Sequence, residues 1–271
     1  MPRRHNLGRK NLIPQSRHHG LTLTTGDVAG IERATAAAVS PQAIEELDGW
    51  LLAFDRGPVN RAKSAVPLQH ALGDIAVIGR IEARYLAHGL PPLFRLADSP
   101  CFDAVRQQLM RRGYRSKQAT QVQVAEVADV AAMRAVSSQP PADIATVPDA
   151  AWAALFLGDG ADPADGASRV AALARAPGSL YASVREGGQT VAAGAAAFSQ
   201  GWVSVHGMRT APASRGRGMA GRILAALADA AMARGVQRCF LQVELGNAPA
   251  QALYRRAGFV PAWSYAYWRQ E

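Results

Sequence analysis

From His206 to Ala220 the chain reads His-Gly-Met-Arg-Thr-Ala-Pro-Ala-Ser-Arg-Gly-Arg-Gly-Met-Ala, and an apolar-periodic stretch follows. Gly216 and Gly218 let the backbone come close to a ligand. The unpaired amides at a helix start, backed by the helix dipole, form a site for phosphate. Arg215 and Arg217 add charge-assisted donors. The chemistry on offer is the capture of a phosphate-bearing molecule. A glycine turn that only caps a helix has no structural need of two arginines.

To position these groups, the chain needs a strand, a bend and a helix in that order. Val203 to Met208 supplies the strand. Gly218 to Arg234 places Met219, Ile223, Leu224, Leu227 and Ala231 on one face, which predicts a helix packed on a sheet and ended by Gly235. Gly216 to Gly221 also fits Gly-x-Gly-x-x-Gly, with Glu244 where a ribose-binding acid would stand. That dinucleotide fold puts its glycine turn directly at the strand end, whereas here Pro212 and its neighbours intervene. Too few residues follow Glu244 to complete a doubly wound sheet.

Arg215, Gly218 and Ala220 match Arg/Gln-x-x-Gly-x-Gly/Ala, and in this the chain resembles the GNAT superfamily of acyl-CoA-dependent N-acyltransferases. Leu241 to Glu244 look like that family's fifth strand, Asn247 like its following asparagine, and Ala252 to Phe259 like its Tyr-x-x-x-Gly-Phe element. The likeness covers residues 198 to 271. It implies acetyl-CoA as cosubstrate, held by Met208, Arg209, Thr210, Arg215, Gly216, Arg217, Gly218, Met219, Ala220, Asn247 and Tyr254. It also implies that a backbone amide within Met208 to Thr210 polarises the thioester carbonyl. Tyr254 would stand near the sulfur as general acid, its phenol able to protonate a thiolate. Asn247 precedes Ala248-Pro249, so helix capping and contact with the pantetheine chain are both open to it. Pro212 is expected to end strand pairing and let two strands splay for the pantetheine arm.

Attack on the thioester needs a neutral amine, and an alkyl amine with a pKa of about 10 is almost wholly protonated at neutral pH. Family members acting on ribosomal protein N-termini carry a glutamate where this chain has Gln242, which cannot accept a proton. Glu244 faces the same side of its strand, and His206 on the adjacent strand titrates near neutrality. Either can act through a water. Glu244 could instead pair with a surface arginine, and His206 could be a hydrogen-bonded spacer.

The chain has 271 residues, 49% of them hydrophobic, which suffices for one large or two ordinary domains. It has no run of about 18 apolar residues, so no membrane span is expected. Cys101 and Cys239 lie far apart without ligand-like spacing, which predicts a reducing, cytoplasmic setting and no metal. Met1 to Gly20 holds five basic and no acidic residues out of a net charge of +9, a basic arm of disordered composition. No base-reading motif accompanies it, so nucleic acid is not the expected partner.

A weak internal repeat runs through the chain: Gly79-Arg80-Ile81 corresponds to Gly221-Arg222-Ile223 at an offset of 142, and Gly113-Tyr114 to Gly258-Phe259 at 145. Chance similarity between two α/β units is the alternative. Leu68 to Ile75 stands where the second copy has its Arg-Gly loop, but it lacks arginine and contains Asp74, which repels pyrophosphate. The expected fold is α/β, two tandem GNAT-like domains, each a mixed, mostly antiparallel sheet flanked by helices. The expected division is 1–24 basic arm, 25–130 degenerate domain, 131–148 linker and 149–271 catalytic domain.

Ser40-Pro41 predicts a helix running through Leu47, with further helices at Phe102 to Arg112 and Val170 to Ala174. Ser137 to Val147 reads as the linker, and Gly158 to Gly166 as a second loop. The function that follows is acetyl transfer from acetyl-CoA to a primary amine, of a small molecule or a protein, by direct attack in a ternary complex. The alternatives are a non-catalytic acyl-CoA sensor and a nucleic-acid- or ribosome-associated module using the arm.

Overall fold

The computed structural model describes residues 23–136, 138–157 and 163–270; the basic arm lies outside the described residues. The first half runs α1 (Thr25–Val39), β1 (Ala43–Leu47), β2 (Trp50–Phe54), β3 (Ala65–Pro67), α2 (Val77–Ala87), β4 (Phe94–Ala97), α3 (Asp103–Arg111), β5 (Tyr114–Glu126) and α4 (Val127–Ala131). The second runs β6 (Asp143–Ala145), α5 (Ala150–Leu157), α6 (Pro163–Arg175), β7 (Leu180–Glu186), β8 (Gln189–Ser199), β9 (Trp202–Thr210), α7 (Met219–Ala233), β10 (Arg238–Glu244), α8 (Ala248–Arg256) and β11 (Val260–Gln270).

Helix α1 starts on a capping box in which Thr24 Oγ1 accepts from the Asp27 amide at 3.2 Å while the Thr24 amide donates to Asp27 at 2.9 Å. Ser40 closes this helix, in the left-handed region at φ 43°, and does not open the expected one. The stretch Ala43–Leu47 is strand β1. Its residues alternate half-buried and exposed, and it turns into β2 through Asp48 (φ 48°) and Gly49 (φ 79°). Two successive left-handed residues make the tight hairpin that an Asp-Gly pair favours, so the two-residue period prevails over the Ser-Pro signal. Two other expectations are also redrawn. Residues 143–145 of the expected linker form β6, which pairs with β7, and Gly166 lies inside α6, buried against the Phe156 carbonyl.

The strands form one sheet, in the order β1-β2-β3-β4-β11-β5-β10-β9-β8-β7-β6, where two separate sheets were expected. Its centre is an exchange. β5, which ends the first half, pairs antiparallel with β10 from Glu244↔Thr120 to Arg238↔Glu126. β11, which ends the second half, pairs antiparallel with β4, and β5 and β11 pair with each other. The segments β4-α3-β5 and β10-α8-β11 thus stand in like relation, each lending its last strand to the other half. On the second half, α7 buries Met219, Ile223, Leu224, Leu227 and Ala231, the face its periodicity predicts. Gly194 of β8 allows this close approach, since a Cβ there would come within 2.6 Å of Ile223.

Among the described residues no helix is long and apolar enough to cross a membrane. Because the exchange leaves each half without its central neighbour, residues 25–130 and 149–271 produced separately should each remain unfolded by circular dichroism and NMR. Mixing them during refolding should restore the native spectrum. A cooperative thermal transition in either isolated half would contradict this.

Candidate active site

Strands β9 and β10 run parallel and pair from Arg238↔Trp202 to Leu241↔Val205, where their pairing stops. Beyond that point β10 stays bonded to β5 as far as Glu244, and β9 stays bonded to β8 as far as Thr210. The two strands therefore splay from His206 onward. The cause lies earlier than the expected Pro212. Pairing with β8 jumps from Ala195↔His206 to Ala193↔Arg209, so Gly207 and Met208 together oppose Gly194. This bulge holds Gly207 at φ 59°, and a Cβ there would meet Leu173 at 3.0 Å and Phe156 at 3.1 Å. Pro212 only follows the end of the strand, in a short turn from Pro212 to Ser214.

Two adjoining cavities occupy the gap, one of about 780 Å³ on the side of the glycine loop and one of about 360 Å³ behind it. Met208, Arg209, Asn247 and Tyr254 border both. The larger is floored by Thr210, Arg215, Gly216, Gly218, Met219 and Ala220. Gly216 (φ 75°) and Gly218 (φ 78°) both take the left-handed conformation. Gly218 begins α7 with no side-chain cap, and the bonds at this helix start come only from the amides of Gly221 and Arg222 to the Gly218 carbonyl. The amides of Met219 and Ala220 thus have no protein acceptor among the described residues, a cradle of free donors that suits an anion. Arg215 donates weakly to the Thr210 carbonyl at 3.4 Å and borders the cavity. Arg217 points elsewhere, held by both oxygens of Glu186 at 2.7 and 2.8 Å. Arg256 borders the same cavity one helical turn beyond Ala252 and Leu253; it escaped the motif because only the fold shows which face of α8 looks inward.

Tyr254 is 7% exposed, and burial pushes its hydroxyl up to about 12. It therefore stays protonated at neutral pH. Asn247 caps α8 by accepting from the Ala250 amide at 3.2 Å while bordering both cavities, so capping leaves it at the site.

Glu244 is exposed at the inner cavity, and its Oε1 accepts from Gln118 at 3.0 Å. Gln118 sits at φ 59°, at a break in the β5 and β11 register, and its side-chain Oε1 accepts from Asn60 Nδ2 at 3.0 Å. A residue of the first half in the left-handed region is thus aimed at the carboxylate of the second and held there by Asn60. Gln242 is fully engaged: its oxygen accepts from Arg61 at 2.9 Å and from Tyr265 at 3.2 Å, and its nitrogen donates to Thr35 at 3.0 Å. Arg61, 181 residues away in sequence, reaches the inner cavity through this bond. No local signal marks it.

His206 is 4% exposed, and burial together with the Arg61 charge pulls it down to about 3. It is neutral at physiological pH. Ser204 Oγ donates to the Ala197 carbonyl at 3.3 Å, so it must accept from His206 Nε2, 2.7 Å away. The proton therefore sits on Nε2, and Nδ1 is a buried acceptor without a partner among the described residues. No group of three or more metal-ligating side chains occurs among the described residues.

The model of the family described as "Probable histone acetyltransferase Rv0428c C-terminal" matches residues 25–268. The chain belongs to this family. The GCN5-related N-acetyltransferase from Kribbella flavida superposes with a TM-score of 0.65 at 18% identity, covering 90% of this chain and 95% of that one. The GCN5-related N-acetyltransferase from Sphaerobacter thermophilus gives 0.53 at 17%, covering 92% and 94%. A tandem GNAT protein from the clavulanic acid biosynthesis pathway gives 0.54 at 14%, covering 91% and 96%. At these identities the likeness shows the fold, which is that of the GNAT acetyltransferases. No curated protein is similar enough to match.

Within this family member, the buried imidazole makes a checkable signal. Its folded value lies below the ordinary 6.5, so protonation favours the unfolded chain. The stability this residue contributes is complete above 6.5 and is lost as pH falls from there toward 3. NMR of His206 should accordingly show one neutral Nε2–H tautomer unchanged from pH 8 to 5. A midpoint near 6.5 would contradict the assignment.

Proposed function

We propose that this protein is an acetyl-CoA-dependent N-acetyltransferase that moves an acetyl group to a primary amine by direct attack within a ternary complex. The observation that carries the reading is the splay of β9 from β10, bordered at one end by the uncapped start of α7 and crossed by the protonated hydroxyl of Tyr254. The thioester of acetyl-CoA supplies the acyl group. Arg215, Gly216, Gly218 and the amides of Met219 and Ala220 hold the pyrophosphate, Arg256 adds charge at its edge, and Arg217 keeps its place through Glu186.

The unpaired edge of β9 from Met208 to Thr210 offers backbone N–H groups to the thioester carbonyl. The amine reaches it from the inner cavity, its N–H accepted by His206 Nδ1, and its surplus proton passes through water to Glu244. His206 binds so few protons that it orients the amine and leaves the proton to the carboxylate. As the C–N bond forms and the C–S bond breaks, Tyr254 gives its proton to the departing thiolate.

We further read residues 25–130 as a second GNAT-like unit that binds no CoA, joined through 131–148 to a catalytic unit at 149–271. The like placement of β4-α3-β5 and β10-α8-β11 supports this. The first unit serves the site through Asn60 and Arg61.

Thiol release from acetyl-CoA with a panel of amines tests the activity, and Tyr254→Phe tests the acid. Loss of this one hydroxyl should keep the fold and most CoA affinity while lowering kcat by about 10²- to 10⁴-fold where chemistry limits turnover. Turnover within about twofold of the parent would remove Tyr254 from the mechanism. CoA binding with no thiol release for any amine would mark a sensor.

A further inference from the structure

The wall of the inner cavity carries three arginines, Arg61, Arg169 and Arg209, against the single carboxylate of Glu244, a formal surplus of two positive charges. A cavity built for a cationic amine alone needs the opposite balance. Each arginine comes from a different element, the turn Asn60–Lys63, α6 and β9. None of them forms an ion pair with a described carboxylate, although the chain pairs many other arginines in this way. Arg61 gives Nη1 to Gln242 and keeps its other donors. Arg209 lies over the Phe156 ring, 5.1 Å from its centre, and makes one long bond to the Leu155 carbonyl at 3.4 Å. Arg169 makes no hydrogen bond or ion pair among the described residues.

Like charges gathered at a partly buried wall repel one another unless an anion enters. The effect is visible at Arg209, whose guanidinium is pulled below its usual value by burial and by the neighbouring charge of Arg169. In the same cavity, His206 Nδ1 is a buried acceptor with no partner among the described residues, suited to an amine N–H. An acceptor of amine donors and a cluster of donors for an anion thus share a space of about 360 Å³, the size of a small metabolite's site.

We infer that the acceptor is a small amine that carries an anionic group, a carboxylate or a phosphate, with its amine at His206 and its anion on Arg61, Arg169 and Arg209. The inference rests on the acetyltransferase reading for the reaction, and on the cavity alone for the binding. A guanidinium binds either anion in a forked, two-bond contact, which fixes the amine relative to the β9 edge. A cationic polyamine or a lysine in a basic peptide would meet repulsion from the same wall.

The experiment uses the full chain with acetyl-CoA and follows thiol release. The panel pairs each of the common L-amino acids with its amide and phosphoethanolamine with ethanolamine, and adds spermidine and a lysine-rich peptide. At least one amine bearing an anionic group should show kcat/KM about 10-fold or more above its counterpart without the anion, the phosphate and carboxylate pairs deciding which anion is preferred. Arg169→Gln should raise KM for that amine about 10- to 100-fold and should not raise KM for its counterpart without the anion. Arg61→Gln, checked for an unaltered melting temperature, should act in the same direction.

Equal use of acid and amide, or a best acceptor that is spermidine or the peptide, would overturn the inference. Calorimetry on the chain saturated with CoA separates this failure from failure of the reaction. N-acetylated amino acids, or N-acetylphosphoethanolamine, should bind about 10-fold more tightly than their uncharged counterparts. If no amine releases thiol but this preference holds, the acetyltransferase reading falls and the anion site stands. If neither N-acetyl acids nor N-acetylphosphoethanolamine bind better than their uncharged counterparts, the anion site falls.

Discussion

Strand β10 is bonded along seven residues to β5 on one side and along only four to β9 on the other. This inequality governs the site. A strand released from one neighbour would normally drift until its N–H and C=O groups found partners, because unpaired backbone groups are costly to bury. Here β5 holds β10 in place to Glu244, while the bulge at Gly207 and Met208 turns β9 away. The gap is therefore a permanent part of the sheet, and its unpaired edge is available for a ligand. The glycines are matched to it. Gly194 lets α7 lie close to β8 behind the bulge, its carbonyl accepting from Trp152 at 3.2 Å, while Gly207 leaves room for Phe156 and Leu173.

The same strand explains why the first half matters to a site whose recognisable motifs all lie in the second. Because β5 belongs to the first half, its bulged Gln118 can hold Glu244, and its partner β11 brings Tyr265 to Gln242. A carboxylate at position 242 would offset the charge of Arg61; the neutral amide of Gln242 instead bonds Arg61, Tyr265 and Thr35 together and leaves that charge without a counter-ion. A buried pair, Arg95 and Glu32 at 2.6 Å, ties α1 to β4 behind this network.

What the sequence made legible was local. The glycine loop and the helix from Met219 to Ala233 follow from turn chemistry and a 3.6-residue period within some twenty residues. Asn247 and Tyr254 were reached through the resemblance to the GNAT superfamily, and both border the two cavities. The hairpin at Asp48-Gly49 was equally local, but the Ser40-Pro41 signal masked it. The exchange of β5 and β11, the reach of Arg61 and Gln118 into the cavity, and the capture of Arg217 by Glu186 were not legible. Each depends on contacts between segments dozens to nearly two hundred residues apart, which no local period encodes. The depressed basicity of His206 was hidden for the same reason, since it comes from burial and from Arg61.

The central claim is that the gap and the uncapped start of α7 form the chain's CoA site. Isothermal titration of the full chain with CoA tests it most directly. One CoA should bind per chain, and Gly218→Glu, which forces a side chain and a negative charge into the left-handed position at φ 78°, should abolish that binding while the chain still folds cooperatively, its melting temperature lowered only by the local strain. Two CoA molecules per chain, or equal affinity in the variant, would contradict the account.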